Sequence, residues 1–265
     1  MISRFANKML SPFGFQIRRA SRSAGKYEFP VEASQVEKDI IEYVLNKSLT
    51  MVSVDRLWAA ISSTKYVVNA GIEGDVVECG VWRGGCSLAM AMTIKELGSS
   101  KKVYLFDTFA GMTKPTELDI VESSKLPALN KFLKNARASH NAWSYAPIEE
   151  VEANFAEADC LHIANFVKGD VLETLDNPAN LPAHISLLRL DTDWFESTKK
   201  ELDILYPILS INGVLLIDDY GHWQGSRRAF DQFFSDPIKT RPLAWKTDYT
   251  GRGVVKTTHH GTSKN

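Results

Sequence analysis

Asp191 and Asp193 follow the apolar run Ile185–Leu190, and Asp218 and Asp219 follow residues 213–217 (GVLLI). If those runs are neighbouring parallel strands, four carboxylates gather on one rim of a sheet. Like charges that close repel unless a cation compensates them. An oxygen-only donor set suits a hard divalent ion such as Mg2+. Such an ion lowers the pKa of a bound hydroxyl and orients it for attack. N-capping of the helices that follow, by Asp193 or Asp219, accounts for some of the four but not for all. His222, just beyond the second pair, is an alternative proton acceptor, whereas His259 and His260 near the end read as solvated.

A second chemistry-bearing stretch lies upstream. Residues 78–85 (ECGVWRGG) have the spacing E-x-G-x-x-x-G-G between a short apolar run and a helical pattern. Gly80 permits a sharp turn. Gly84 and Gly85 leave bare backbone at a helix N-terminus, which favours an anionic group such as the carboxylate of a methionine moiety. Asp107 ends the next apolar run, where an acid accepts hydrogen bonds from ribose hydroxyls in dinucleotide-type folds. Plain strand–helix packing and a surface acid are the simpler readings of each feature alone. A NAD-dependent oxidoreductase is an alternative, but its G-x-G-x-x-G spacing is absent and it leaves the carboxylate rim unexplained.

These residues need a scaffold that brings strand ends to one edge. Residues 76–79, 103–106, 163–167, Ile185–Leu190 and 213–217 read as short buried strands, and 84–97, 197–209 and 228–234 as helices. That alternation predicts an α/β fold with a mostly parallel sheet and helices on both faces. Ligands in such sheets sit beyond the carboxyl ends of the strands. Helical periodicity at 33–45 and 53–68, the second opened by Ser53 as N-cap, predicts N-terminal helices. Residues 243–247 and 254–257, flanking Gly251 and Gly253, predict a terminal antiparallel hairpin. Residues 108–147 hold three prolines, His140, Trp143, Tyr145 and a helical piece at 129–138. That insertion is too long for an ordinary connection and is expected as a lid. The expected organisation is a helical extension over 1–70, a main domain over 71–258 and a polar tail over 259–265.

Composition narrows the partners. The 265 residues suffice for one such domain, and 31 basic against 32 acidic side chains leave a net charge of −1. No global field therefore draws the chain to nucleic acid, and no stretch has the length of a membrane span. Three cysteines without a CxxC pair read as buried small hydrophobes rather than a disulfide framework or zinc site, so a reducing, cytoplasmic setting is expected. Residues 1–20 lack the apolar core of a secretory signal. They read as a loose tail, with a short basic amphipathic helix on a membrane or subunit as the alternative. The apolar faces of the N-terminal helices need cover, which makes a homo-oligomer through them an expectation.

Several long runs carry a family resemblance: GDVVECGVWRGG (74–85), LFDTFAGM (105–112), LRLDTDWFEST (188–198) and GVLLIDDYGHWQGSRRAFDQFF (213–234). With LTMVSVDRL (49–57), VEANFAEA (151–158) and VKGDVLETL (167–175), they resemble the macrocin O-methyltransferase family over roughly 50–234. That family methylates sugar hydroxyls on macrolide and aminocoumarin antibiotics. The resemblance implies a Rossmann-like class I methyltransferase sheet, S-adenosylmethionine and Mg2+ as cofactors, and a small-molecule or saccharide acceptor. Glu78, Gly80 and Gly84 would then shape the S-adenosylmethionine pocket, with Asp107 at the ribose, Asp170 by the adenine, and Met51 and Ser53 approaching from upstream. Asp191, Asp218 and Asp219 would bind Mg2+, and Asp191 would also be a candidate to take the hydroxyl proton. Cys86 stands where the family often has serine, and the lid matches no family landmark. A non-catalytic scaffold of the same fold is the other alternative, against which the intact aspartates stand.

Overall fold

The computed structural model describes residues 27–236 and 241–257. The expectations for residues 1–20 and for the tail with His259 and His260 lie outside the described residues. Five parallel strands form the centre of one sheet: β1 (Asp75–Cys79), β2 (Val103–Asp107), β3 (Ala164–Lys168), β4 (Ile185–Leu190) and β5 (Leu209–Ile217). β6 (Trp245–Lys246) and β7 (Arg252–Val255) close it as the expected antiparallel hairpin. The order is β3-β2-β1-β4-β5-β7-β6. The chain reverses direction of growth between β1 and β4, so the crevice outside their carboxyl ends is where a ligand belongs.

The side-chain alternation of a strand sorts residues to two cores. Val76, Leu105, Leu187, Val214 and Leu216 join one hydrophobic cluster. Their chain neighbours Val77, Phe106, Leu188, Leu215 and Ile217 join the other. The first is covered by α1 (Gln35–Asn46), α2 (Val54–Asn69) and α3 (Gly85–Glu96), the second by α7 (Phe195–Ile208) and α8 (Gln224–Phe233). α1 opens with a capping box between Ser34 and Glu37, and α2 with Ser53 as N-cap.

The helices of the expected extension are part of this core. Ile40, Ile41 and Val44 of α1 and Leu57, Ile61 and Val67 of α2 pack in one cluster with Leu88 and Met90 of α3. No boundary in packing falls at residue 70. α1 is covered by α2 and α3, and α2 also by β4 and β5. β5 begins at Leu209 rather than near Gly213, because Leu209 pairs with Ile185 and a register irregularity follows before Leu187 pairs with Val214. α5 (Ile148–Glu157) is a helix beyond those that periodicity predicts. Its signals were Pro147 at the cap, Glu149 and Glu150 in the first turn, and Val151 and Phe155 on one face.

The insertion folds down onto the carboxyl edge of the sheet. It contains only one helix among the described residues, the short α4 (Leu129–Asn135). Val121 bridges to Trp223, and Trp194 Nε1 donates to Thr113 O (3.1 Å). The fully buried Asp119 accepts from Phe195 N at 2.8 Å through Oδ1, and from Thr116 N at 2.7 Å through Oδ2. Trp143 of the lid meets Trp194 and Trp223 at ring separations of 5.5 and 6.1 Å. No helix among the described residues is long and apolar enough to cross a membrane.

α7 also carries an acid inside the core. Glu201 is 0% exposed; its Oε1 accepts from Thr192 Oγ1 at 2.8 Å, and its Oε2 has no partner. Burial lifts its carboxyl from 4.5 to about 8. The folded chain thus keeps a proton that the unfolded chain releases above about 4.5, so stability falls as pH rises through this window, at most by about 1.4 kcal/mol per pH unit. Glu201→Gln is expected to flatten that slope in urea unfolding compared at about pH 5.5 and about pH 8. An unchanged slope contradicts the assignment.

Candidate active site

The apolar strand β4 holds one charge, Arg189, which is 2% exposed. It lies opposite Glu78 of β1 in the parallel register. Its Nη1 donates to Glu78 Oε1 and, at 2.8 Å, to Asp191 Oδ2, while Nη2 donates to Asp218 Oδ1. Ser87 donates to the other oxygen of Glu78. A buried guanidinium is tolerated only when ion pairs and hydrogen bonds replace its hydration. Here those partners come from the ends of three adjacent strands.

A second arginine completes the partition of the aspartates. Arg56, in the first turn of α2, donates through Nη1 to Asp218 Oδ2, and its Nε lies 3.0 Å from Asp248 Oδ2. Asp248 also accepts from Ser53 Oγ (3.0 Å) and from the amides of Thr250 (2.9 Å) and Gly251 (2.8 Å). Ser53 therefore caps α2 and tethers the terminal hairpin to it, and does not line the main cavity. Asp218 has both oxygens committed to arginines.

The carboxylates that remain open to one another are those of Asp191, Asp193 and Asp219, whose candidate ligand atoms lie within 4.8 Å. This trio shares two members with the set Asp191, Asp218 and Asp219 that the family resemblance implied, with Asp193 in place of Asp218. Asp193 caps no helix: α7 starts at a Trp194 cap without a side-chain bond, and Asp193 itself sits at φ +71°. Asp219 Oδ2 is buried without a hydrogen-bond donor. Burial pushes the Asp193 carboxyl up to about 7. It drives Asp191 and Asp219 well above the usual carboxylate range, and the neighbouring aspartates add to the rise in both. A divalent cation would relieve the burial and the repulsion together.

These groups floor a cavity of about 340 Å³ whose walls include Met51, Glu78, Trp82, Lys131, Trp143, His222 and Tyr249. His222 is held below its ordinary 6.5 by burial, and then by the Arg56 and Lys131 charges. A smaller hollow beside it is lined by Gly80, Asp107, Gly169, Asp170 and Thr192, and Asp191 borders both. Asp170 lies on that hollow and N-caps the short α6 (Val171–Thr174), accepting from Leu172 N at 2.9 Å.

The glycine loop is used differently from the expectation. A Cβ at Gly80 would stand 2.2 Å from Asp191 O, at Gly85 2.5 Å from Leu49 O, and at Gly84 2.6 Å from Val151 Cγ1. The bare backbone thus admits other segments of the protein: the end of β4, the loop leading to Met51, and α5. Asp107 is saturated from within. Its Oδ2 accepts from Val81 N (2.7 Å) and Trp82 N (3.1 Å), and its Oδ1 from Phe109 N (2.8 Å). It clamps the glycine loop to the end of β2. Of the residues expected at the site, the structure brings Met51, Glu78, Gly80, Asp107, Asp170, Asp191, Asp218, Asp219 and His222 to the two adjoining hollows, and leaves Ser53 and Gly84 behind them. Sequence reasoning missed Arg189, Arg56, Asp248 and Lys131. For Arg189 a signal existed, since an arginine inside an otherwise apolar buried strand demands acid partners.

The sheet order, the glycine loop at β1 and the acid-lined rim at β4 and β5 define a Rossmann-like class I methyltransferase fold. The solved structure of the O-methyltransferase NovP shares it, with a TM-score of 0.73 and 23% identity, covering 84% of this chain and 98% of that one. The family model described as Macrocin-O-methyltransferase (TylF) matches residues 8–252, and the chain belongs to that family. The 8-demethyl-8-(2,3-dimethoxy-alpha-L-rhamnosyl)-tetracenomycin-C 4'-O-methyltransferase of Streptomyces olivaceus is 33% identical over 173 residues, 64% of this chain and 62% of the relative. The demethyldecarbamoylnovobiocin O-methyltransferase of Streptomyces niveus is 30% identical over 186 residues, 69% of this chain and 67% of the relative. The match thus spans less than two thirds of the length of the first of these relatives.

Replacing Arg189 by methionine strands Glu78 in the core and takes from Asp218 one of its two arginines. The expected loss is about 3–5 kcal/mol of folding stability, read from urea unfolding. A loss under about 1 kcal/mol would show that the three strand ends do not depend on this guanidinium.

Proposed function

We propose that this chain is an S-adenosylmethionine-dependent, Mg2+-assisted O-methyltransferase acting on a hydroxyl of a sugar, borne by a glycosylated small molecule or a saccharide. The carrying observation is the open trio Asp191, Asp193 and Asp219 on the floor of a cavity walled by aromatic side chains. The Streptomyces olivaceus relative methylates, by its printed name, a rhamnosyl-bearing compound, and the shared family supports the same class of acceptor here. An oxidoreductase or a bare scaffold would leave that trio without a purpose.

The residues fit both groups. Three oxygen donors, one of them with a buried oxygen lacking any partner, suit Mg2+. Asp191, Asp193 and Asp219 would hold it, while Asp218 fixes the arginines behind them. The wall around Met51, Val81 and Trp82 would receive the methionine part of S-adenosylmethionine, and the hollow with Gly80, Asp107 and Asp170 its nucleoside part. When bound, S-adenosylmethionine supplies a methyl already activated on sulfur, and Mg2+ supplies the charge that acidifies an alcohol.

The chain's own residues then have separable tasks. His222, kept neutral at pH 7 by burial and by two nearby cations, accepts the hydroxyl proton through its ring nitrogen. Trp143 and Trp223 exclude water and give the sugar's apolar face a flat support. Arg189 and Arg56 hold the rim in register without touching the reacting atoms.

Methyl transfer to glycoside acceptors tests this reading. Chelation with EDTA is expected to lower the rate at least about a hundredfold, restored by Mg2+, and Asp219→Ala to lower it similarly. Full activity in chelator would remove the metal from the scheme. Because protonated His222 cannot accept a proton, activity should fall on the acid side, with its midpoint below 6.5. His222→Gln should remove that limb of the kcat profile along with most of the rate.

A further inference from the structure

Three cations line the main cavity, Arg56, Arg189 and Lys131. Arg189 is spent on Glu78, Asp191 and Asp218, and Arg56 on Asp218 and Asp248. Lys131 is not spent in this way. Its Nζ lies 3.9 Å from the centre of the Trp143 ring, and among the described residues it enters no ion pair with a carboxylate. An aromatic face holds an ammonium in place without the direct ion pair that a contacting carboxylate supplies.

The lysine is presented, not loose. α4 is tied to the loop after it by Asn141 Nδ2 donating to Phe132 O (3.0 Å) and Ala142 N donating to Asn135 O (2.8 Å). Trp143 is wedged edge-on against Trp194 at an interplanar angle of 74°. The lid therefore carries a cation above the same cavity whose floor holds the acid trio. Its charge is felt at His222 and at Asp193. Partial burial lowers the lysine's pKa, and the Asp193 charge opposes that fall. A divalent cation at the acid trio would bring the positive charges of the cavity, with Arg56, Arg189 and Lys131, level with its five carboxylates, so an anionic acceptor would meet no net negative charge.

We propose that Lys131 selects acceptors that carry an anionic group, a carboxylate or a phosphate, on the sugar that is methylated. This rests on the reading of the site as a sugar O-methyltransferase. A hydroxyl at the acid trio puts another substituent of the same sugar toward the lid, where a charge-assisted bond to the ammonium fixes orientation. A neutral sugar would leave the cation on its aromatic face alone.

The test uses the full chain loaded with Mg2+ and S-adenosylhomocysteine, titrated with methyl glucoside, methyl glucuronoside and glucose 1-phosphate by ligand-observed NMR. At least one charged sugar is expected to bind about tenfold tighter than the neutral one, and which one does so separates carboxylate from phosphate. Lys131→Met should erase the preference and Lys131→Arg retain it. Equal affinities, no detectable binding of any of the three, or a preference that survives Lys131→Met overturns the proposal. A wild-type chain that takes up no S-adenosylhomocysteine overturns the underlying methyltransferase reading instead.

Discussion

The buried guanidinium of Arg189 is the interaction on which the candidate site depends. In the middle of a parallel sheet, 2% exposed, it can persist only with acid partners in good geometry. Those partners are Glu78 on β1, Asp191 beyond β4 and Asp218 beyond β5. One side chain therefore aligns the carboxyl ends of three strands. Arg56 extends the same network to α2 and, through Asp248, to the hairpin that closes the sheet. The network also decides which carboxylates stay available, since Asp218 is consumed and Asp191, Asp193 and Asp219 are left facing one another.

The glycine loop shows the same economy at its own level. Gly80 lets β1 turn against the backbone of Asp191, and Gly85 lets the segment with Leu49 cross the start of α3. Asp107 then fixes the loop through three amides. These contacts bring the smaller hollow and the acid-floored cavity together at Asp191. A group spanning both would have its two ends held by different elements and its middle at the rim.

The insertion supplies what the sheet lacks. The sheet edge offers charges but little apolar surface. Trp143, packed against Trp194 and Trp223, adds an aromatic wall and carries Lys131 with it. The deeply buried Asp119 anchors that wall to the start of α7, so lid and acid rim are parts of one packed unit.

Much of this was legible in the chain alone. Alternation in runs such as Ile185–Leu190, and helical periods between them, specify which face each residue buries, and burial of a face is a local property. The positions of the strand-end aspartates followed from that, as did the terminal hairpin. Two features were not legible. The covering of α1 by α2 and α3, and of α2 by the sheet as well, depends on where those elements lie and not on the helix's own period. The pairing of charges depends on separations of a few ångströms between segments remote in sequence, such as Arg56 with Asp218 and Asp248. Sequence alone determined that acids would gather at the ends of β4 and β5. Only the tertiary structure decided which of them two arginines would neutralise, because electrostatic partnership is set by distance in space and periodicity carries no record of it.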